Sequence, residues 1–118
     1  MLRDIEQQFL DKAMEKIKWS LDKLVSKEKI SENERDDIFS RIKPIVDLKD
    51  AVHDSDLVIE AVPEIMDLKK KVYAELDKTA GDQVVFASNT STLPITEIAN
   101  TISRPKNLLE YTFSILLN

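Results

Sequence analysis

Glu64, Asn89 and Ser91 are the side chains best placed for chemistry, because each lies just past a short apolar run. One run, Asp56-Leu57-Val58-Ile59-Glu60-Ala61, leads into Val62-Pro63-Glu64; the other, Phe86-Ala87-Ser88, leads into Asn89-Thr90-Ser91. Runs of this kind that break abruptly into polar residues read as buried parallel strands. In an open α/β sheet, the groups just beyond the carboxyl ends of the strands meet the ligand. A carboxylate, an amide and a hydroxyl there can hydrogen-bond a ligand's hydroxyl and carbonyl groups. Asp4, after Met1-Leu2-Arg3, reads in two ways. It is an acid at a strand end, where a dinucleotide-binding fold bonds the ribose hydroxyls, or it is the N-cap of the helix that follows.

Structural readings stand beside these. Glu64 suits the N-terminal turn of a helix, where the dipole favours an acid. Lys69 is one of three consecutive lysines and suits a solvated face, as do Ser20 and Lys27 on a helix. Asn89-Thr90-Ser91 suits a turn; it also fits an N-glycosylation acceptor, a reading set aside for a cysteine-free chain without a signal peptide. His53, the sole histidine, is expected at the surface. Asp36 and Asp37 are adjacent on a helix, point in different directions and form no carboxylate dyad.

The elements that must position these groups follow from periodicity. Leu10, Ala13, Met14, Ile17, Leu21, Leu24 and Val25 form one apolar stripe, predicting a helix over about 5–28. Ser31 with Glu34 has capping-box spacing and opens a second helix that ends near Ile42, before Pro44. A short strand at Ile45-Val46, a helical turn over 48–53 and a strand over 57–62 come next. A helix over 65–79 carries Ile65, Leu68, Val72 and Leu76 on one face, with Gly81 as its terminating turn. A strand over 83–87, a helix over 95–102 and an apolar segment over 108–117 complete the chain. The alternation predicts an α/β fold: a partial Rossmann-like parallel sheet with a long helical segment at the N-terminus.

At 118 residues, 42% of them apolar, the chain suits one small domain. Its net charge of -5, with both signs interspersed, argues against a nucleic-acid partner. The absence of cysteine rules out disulfides and thiolate chemistry and suits a cytoplasmic protein. No apolar run approaches the roughly 18 residues of a membrane span, so no membrane partner is expected. No metal site is expected either.

Ile59-Glu60-Ala61-Val62-Pro63-Glu64 together with Phe86-Ala87-Ser88-Asn89-Thr90-Ser91 closely resembles the NAD-binding domain of L-3-hydroxyacyl-CoA dehydrogenase, and the likeness runs from Arg3 to about Leu109. It implies NAD as cofactor, an acyl-CoA substrate and the oxidation of (S)-3-hydroxyacyl-CoA to 3-oxoacyl-CoA in fatty-acid β-oxidation. It places Asp4 on the NAD ribose hydroxyls, Glu64 near the nicotinamide ribose, Lys69 near the ligand and Asn89 by the nicotinamide. Ser91 falls on the substrate's 3-oxygen, and Ser20 and Lys27 fall on CoA.

The same comparison marks departures. The family has a first strand and a Gly-x-Gly-x-x-Gly turn upstream of this text, whereas the one glycine here is Gly81. After its Arg-Pro the family continues Gly-(apolar)-His-Phe-Phe-Asn-Pro, with the histidine as general base; here Thr112 stands in its place. Write the family's Gly-Ile-His-Phe-Phe-Asn-Pro-Pro as GGA ATA CAC TTT TTC AAT CCT CCT G. Read one base later, it gives GAA TAC ACT TTT TCA ATC CTC CTG, which translates as Glu-Tyr-Thr-Phe-Ser-Ile-Leu-Leu, the text of residues 110–117. Residues 110–118 are therefore expected to be an out-of-frame tail, and a histidine motif in the neighbouring frame of the gene is the mark of that event.

Three functional expectations result: a truncated dehydrogenase domain inactive alone, one half of a split dehydrogenase, or an oligomerising scaffold derived from the fold. In the strand order 3-2-1-4-5-6, the absence of strand 1 leaves the 57–62 strand as an apolar edge. A homodimer is the expected partner state.

Overall fold

A computed structural model of the chain describes residues 1–110, which divide into two units, 1–51 and 52 onward. The first unit is built on two parallel strands, β1 (Leu2–Arg3) and β2 (Pro44–Ile45), in the register Leu2↔Pro44 and Arg3↔Ile45. Arg3 Nε reinforces the pair by donating to the Val46 carbonyl at 3.0 Å. The crossover between the strands is a helical hairpin, α1 (Gln7–Ser26) followed by α2 (Glu32–Ser40).

Both ends of α1 differ from the periodic expectation of 5–28, for local reasons. Glu6 is its N-cap, in extended conformation and without a side-chain cap bond, so Asp4 is not the cap. Asp4 instead follows the end of β1, exposed, and accepts the Ile5 amide at 2.7 Å. At the other end Glu28 takes a left-handed conformation with φ 54°. Its amide bonds the Val25 carbonyl at 2.9 Å and the Lys29 amide bonds Leu24 at 3.0 Å, the two closing bonds of a Schellman turn. That turn normally takes glycine, because a Cβ at positive φ is strained. The capping box of α2 forms as its spacing implies. Glu34 N donates to Ser31 Oγ at 3.2 Å, and Ser31 N donates back to Glu34 Oε2 at 2.8 Å. These Ser31 bonds hold the Glu34 carboxyl below its ordinary pKa.

A five-residue helix, α3 (Leu48–Val52), spans the boundary, with Asp47 accepting the Asp50 amide at its start. The second unit is a parallel three-stranded sheet in the order β3-β4-β5, with β3 at Leu57–Glu60, β4 at Val85–Ser88 and β5 at Leu108–Glu110. Among the described residues β1 pairs with β2, and β4 lies between β3 and β5.

Helix α4 (Met66–Thr79) links β3 to β4, and α5 (Ile95–Ala99) with a 3-10 turn at Pro105–Asn107 leads into β5. One face of this sheet carries the core: Tyr73 of α4 meets Phe86 edge-on with ring centroids 5.9 Å apart, and Leu76, Ile98 and Leu108 are buried in the same unit. The register puts Leu57, Ile59, Val85, Ala87 and Leu109 on the opposite face. There Leu57 and Ile59 remain 52% and 55% exposed, and β3 has β4 as its one strand neighbour among the described residues.

Gly81 does follow α4, but not in the left-handed conformation that ends many helices. Ala80 turns extended, and the Arg104 guanidinium gathers the freed carbonyls. Its Nη1 donates to Gly81 at 2.7 Å and its Nη2 to Asp77 at 2.9 Å and Ala80 at 3.0 Å. The expected tail meets the described structure only at Glu110, which pairs with Ser88; Thr112 and the rest of 111–118 lie outside the described residues.

The hairpin turn yields a paired test by urea unfolding. Glu28→Gly should raise stability by about 1 kcal/mol by relieving the left-handed Cβ, and Ser31→Ala should lower it by about 1 kcal/mol through the lost cap.

Candidate functional site

The carboxyl ends of β3 and β4 form the candidate site, and the residue at its centre is Glu60. Strand β3 ends there because the Glu60 side chain turns back to accept the Val62 amide at 2.7 Å, taking that amide out of any ladder. The Glu60 main-chain carbonyl accepts the Asn89 amide at 2.9 Å. One residue thus fixes the start of both polar segments, 61–64 and 89–91.

The Glu60 carboxylate is buried, and so is its counter-charge. Lys69, on the first turns of α4, is 0% exposed and donates to Glu60 Oε1 at 2.8 Å and Oε2 at 3.0 Å. Ser88 adds a hydroxyl to Oε2 at 2.7 Å. A buried ion pair is tolerated only when further hydrogen bonds satisfy the remaining lone pairs and protons, and these contacts meet that condition. Lys69 is therefore not part of a solvated lysine face. Three consecutive helical residues point about 100° apart, so one can turn inward while Lys70 reaches Glu97 at 2.8 Å. Beside the pair, the Tyr73 hydroxyl is buried without a hydrogen-bond partner. Burial raises its pKa well above the ordinary phenol value, proximity to Ser88 opposes this, and the Glu60 charge adds to it.

The same ammonium lies 3.6 Å from Glu64 Oε2. Glu64 is exposed and faces the β4 segment, where it accepts a hydrogen bond from the Thr90 hydroxyl and a longer one, at 3.4 Å, from Thr92. Thr90 is itself buried and also accepts the Leu93 amide at 3.3 Å. The Thr90 bond holds the Glu64 carboxyl below its ordinary pKa; desolvation works against it, while the Lys69 charge and the Leu93 and Thr92 amides assist. The result is an ionised, partly neutralised carboxylate at the strand ends, with Asn89 and Ser91 exposed on the adjoining segment.

The structure thus brings Glu64, Lys69, Asn89 and Ser91 together in one unit. Asp4, Ser20 and Lys27 are exposed in the other unit, Asp4 at the end of β1 and the other two on and just after α1. Glu60, Ser88 and Thr90 were not singled out in the sequence. Their signal is an acid closing an apolar strand nine residues ahead of a lysine, and hydroxyls at the matching end of the next strand. Among the described residues no group of three or more acids or histidines could hold a metal ion, and no helix is long and apolar enough to cross a membrane. His53 is exposed, 2.7 Å from Asp54 and away from these residues in sequence and strand position.

Residues 1–114 match the family model described as 3-hydroxyacyl-CoA dehydrogenase, NAD binding domain. The fatty acid oxidation complex subunit alpha of Idiomarina loihiensis is 40% identical over 106 residues, which is 90% of this chain and 15% of that protein. The corresponding subunit of Shewanella amazonensis is 35% identical over 92% of the chain and again 15% of its own length. Among solved structures, 3-hydroxybutyryl-CoA dehydrogenase from Escherichia coli K12 superposes with a TM-score of 0.90 at 31% identity, covering 95% of this chain and 24% of that one. (S)-3-hydroxybutyryl-CoA dehydrogenase from Ralstonia eutropha gives 0.89 at 35% identity, covering 94% and 39%. The chain thus spans 15% of the length of these curated relatives, and its α/β architecture is Rossmann-like.

The ion pair makes a sharp prediction for urea denaturation. Lys69→Met alone leaves Glu60 buried and uncompensated and should cost about 3–5 kcal/mol, whereas adding Glu60→Gln to it should restore much of the loss. Equal stability of Lys69→Met and the parent would show that the pair is not buried.

Proposed function

This chain belongs to the family of 3-hydroxyacyl-CoA dehydrogenase NAD-binding domains, and we propose that it offers part of a surface for NAD and acyl-CoA without carrying out the dehydrogenase reaction alone. The observation that carries this reading is Glu64, an ionised acid held between Lys69 and Thr90 at the end of β3, beside Asn89 and Ser91. In this reading Glu64 accepts a hydroxyl of the nicotinamide ribose, and Asn89 lies along the nicotinamide. Ser91 donates to the substrate's 3-oxygen and Lys69 supports Glu64 from within; in the first unit, Asp4 is the acid offered to NAD ribose hydroxyls. Ser20 and Lys27 face the CoA.

The chemistry of the family's reaction is hydride transfer between the 3-carbon of (S)-3-hydroxyacyl-CoA and NAD, with a base removing the hydroxyl proton. Ser91 can hold that oxygen but cannot serve as the base near neutral pH, and neither can Thr112. The single glycine of these 118 residues, Gly81, supplies no Gly-rich phosphate turn. Pure chain should therefore bind NADH weakly but saturably, by fluorescence, with affinity reduced by Glu64→Gln. Its turnover of acetoacetyl-CoA should fall about 10²–10⁴-fold below an intact family enzyme. Turnover near that of an intact enzyme would contradict the reading, and so would binding indifferent to Glu64→Gln.

A second reading, an oligomerising scaffold, is favoured by one observation: among the described residues β3 has a strand neighbour on one side alone, with exposed Leu57 and Ile59 on its open face. An unpaired apolar edge is a template for another chain, and a two-fold homodimer closes it at least cost. Light scattering should give a dimer that Ile59→Lys converts to folded monomer. A parent chain that is a folded monomer at micromolar concentration would exclude this.

A further inference from the structure

We propose that Glu60 is a positioning residue: by competing with Glu64 for the one Lys69 ammonium and by pinning the turn after β3, its carboxylate holds the Glu64 carboxylate outward in the orientation a ligand meets. The inference rests on the reading of Glu64 as the ligand-facing acid, and it concerns a residue to which that reading gives no part.

The geometry supplies the argument. A single ammonium serves two carboxylates, at 2.8 and 3.0 Å for Glu60 and 3.6 Å for Glu64. Three unit charges therefore sum to one negative charge, and the buried acid holds the cation more closely. Glu60 keeps Lys69 inside, with Ser88 at 2.7 Å on the same carboxylate oxygen as the longer Lys69 contact. Lys69 Nζ also lies 3.4 Å from the Val62 carbonyl, and the Val62 amide is held by Glu60 itself. The turn leading to Pro63 and Glu64 is thus fastened at both polar atoms of Val62 to one buried pair. On the other side the Glu60 carbonyl sets Asn89, one residue ahead of the Thr90 that holds Glu64.

Charge balance predicts the response to substitution. Glu60→Gln keeps the shape and most hydrogen-bonding capacity but removes the competing charge. Lys69 then has Glu64 as its one carboxylate partner in the cluster and draws it inward, closer to the cation and further from a ligand. Lys69→Met has the opposite electrostatic effect on Glu64.

The test uses the full chain and two readouts. The first is the titration midpoint of the Glu64 carboxyl, followed by carbon-13 NMR. It should fall below the parent value in Glu60→Gln and rise above it in Lys69→Met. A midpoint unchanged in both variants overturns the proposal, because a Glu60 of purely structural importance would not move it. The second is NADH affinity in a double-mutant cycle. Glu60→Gln should weaken binding roughly fivefold in the parent, within the range of coupling between contacting groups, and hardly at all in Glu64→Gln. Equal weakening in both backgrounds overturns the link to Glu64. A parent chain that binds no NADH contradicts the proposed function, while the Glu64 midpoints still decide whether Glu60 governs Glu64. Thermal melts of each variant confirm folding, and Ser88→Ala offers a milder perturbation of the same carboxylate should Glu60→Gln unfold.

Discussion

Burying a carboxylate beside an ammonium is the constraint on which the second unit depends. Each ion loses hydration worth several kcal/mol, so the arrangement survives only where every lone pair and proton finds a partner. Glu60 meets that demand with Lys69, Ser88 and the Val62 amide. Those partners come from α4, from β4 and from the turn after β3, so satisfying one side chain aligns three elements. The edge that carries Glu64, Asn89 and Ser91 is a consequence of that alignment. The apolar contacts of Tyr73 with Phe86 bring α4 onto the sheet, but apolar contact alone would not select the depth at which Lys69 stops.

Charge then grades outward from this pair. Glu60 is buried, Lys69 sits between, and Glu64 is exposed yet held below its ordinary pKa by Thr90 with help from Lys69. An acid in that state accepts hydrogen bonds across the neutral range, which suits the hydroxyls of a ribose. The first unit contributes a different kind of order, in which local turn chemistry at Glu28, Ser31 and Asp47 sets the helix ends. Its exposed candidates, Asp4, Ser20 and Lys27, are placed by β1 and α1, and the buried polar side chains among the described residues all lie in the second unit.

Much of this was legible in the sequence, where period and capping speak locally. The stripe from Leu10 to Val25 specified α1, Ser31 with Glu34 specified α2, and the two apolar runs specified β3 and β4. What escaped depends on partners distant along the chain. Nothing in Lys69-Lys70-Lys71 says which lysine turns inward; the acid that decides it is nine residues back and the serine nineteen ahead. Arg104, directly before Pro105, closes α4 by reaching carbonyls from Asp77 to Gly81, a role that glycine geometry would otherwise take, and nothing local in the sequence marks it. Thr90, lying between the two residues that drew attention, proved to be the one that grips Glu64. The same-strand alternation also shows why β3 has two faces: Val58 and Glu60 turn to the core side, and Leu57 and Ile59 to the open one.

The central claim, that Glu60 fastens both strand-end segments, the first through its paired carboxylate and the second through its main chain, is tested most directly by amide hydrogen exchange at Val62 and Asn89. Both amides lie beyond the ends of their strands, and each bonds to Glu60, Val62 through the carboxylate and Asn89 through the carbonyl. The account predicts exchange at both sites as slow as in the centre of β4, through the opening of the whole unit. Fast exchange at Val62 and Asn89, typical of an exposed loop, while β4 stays protected would contradict it.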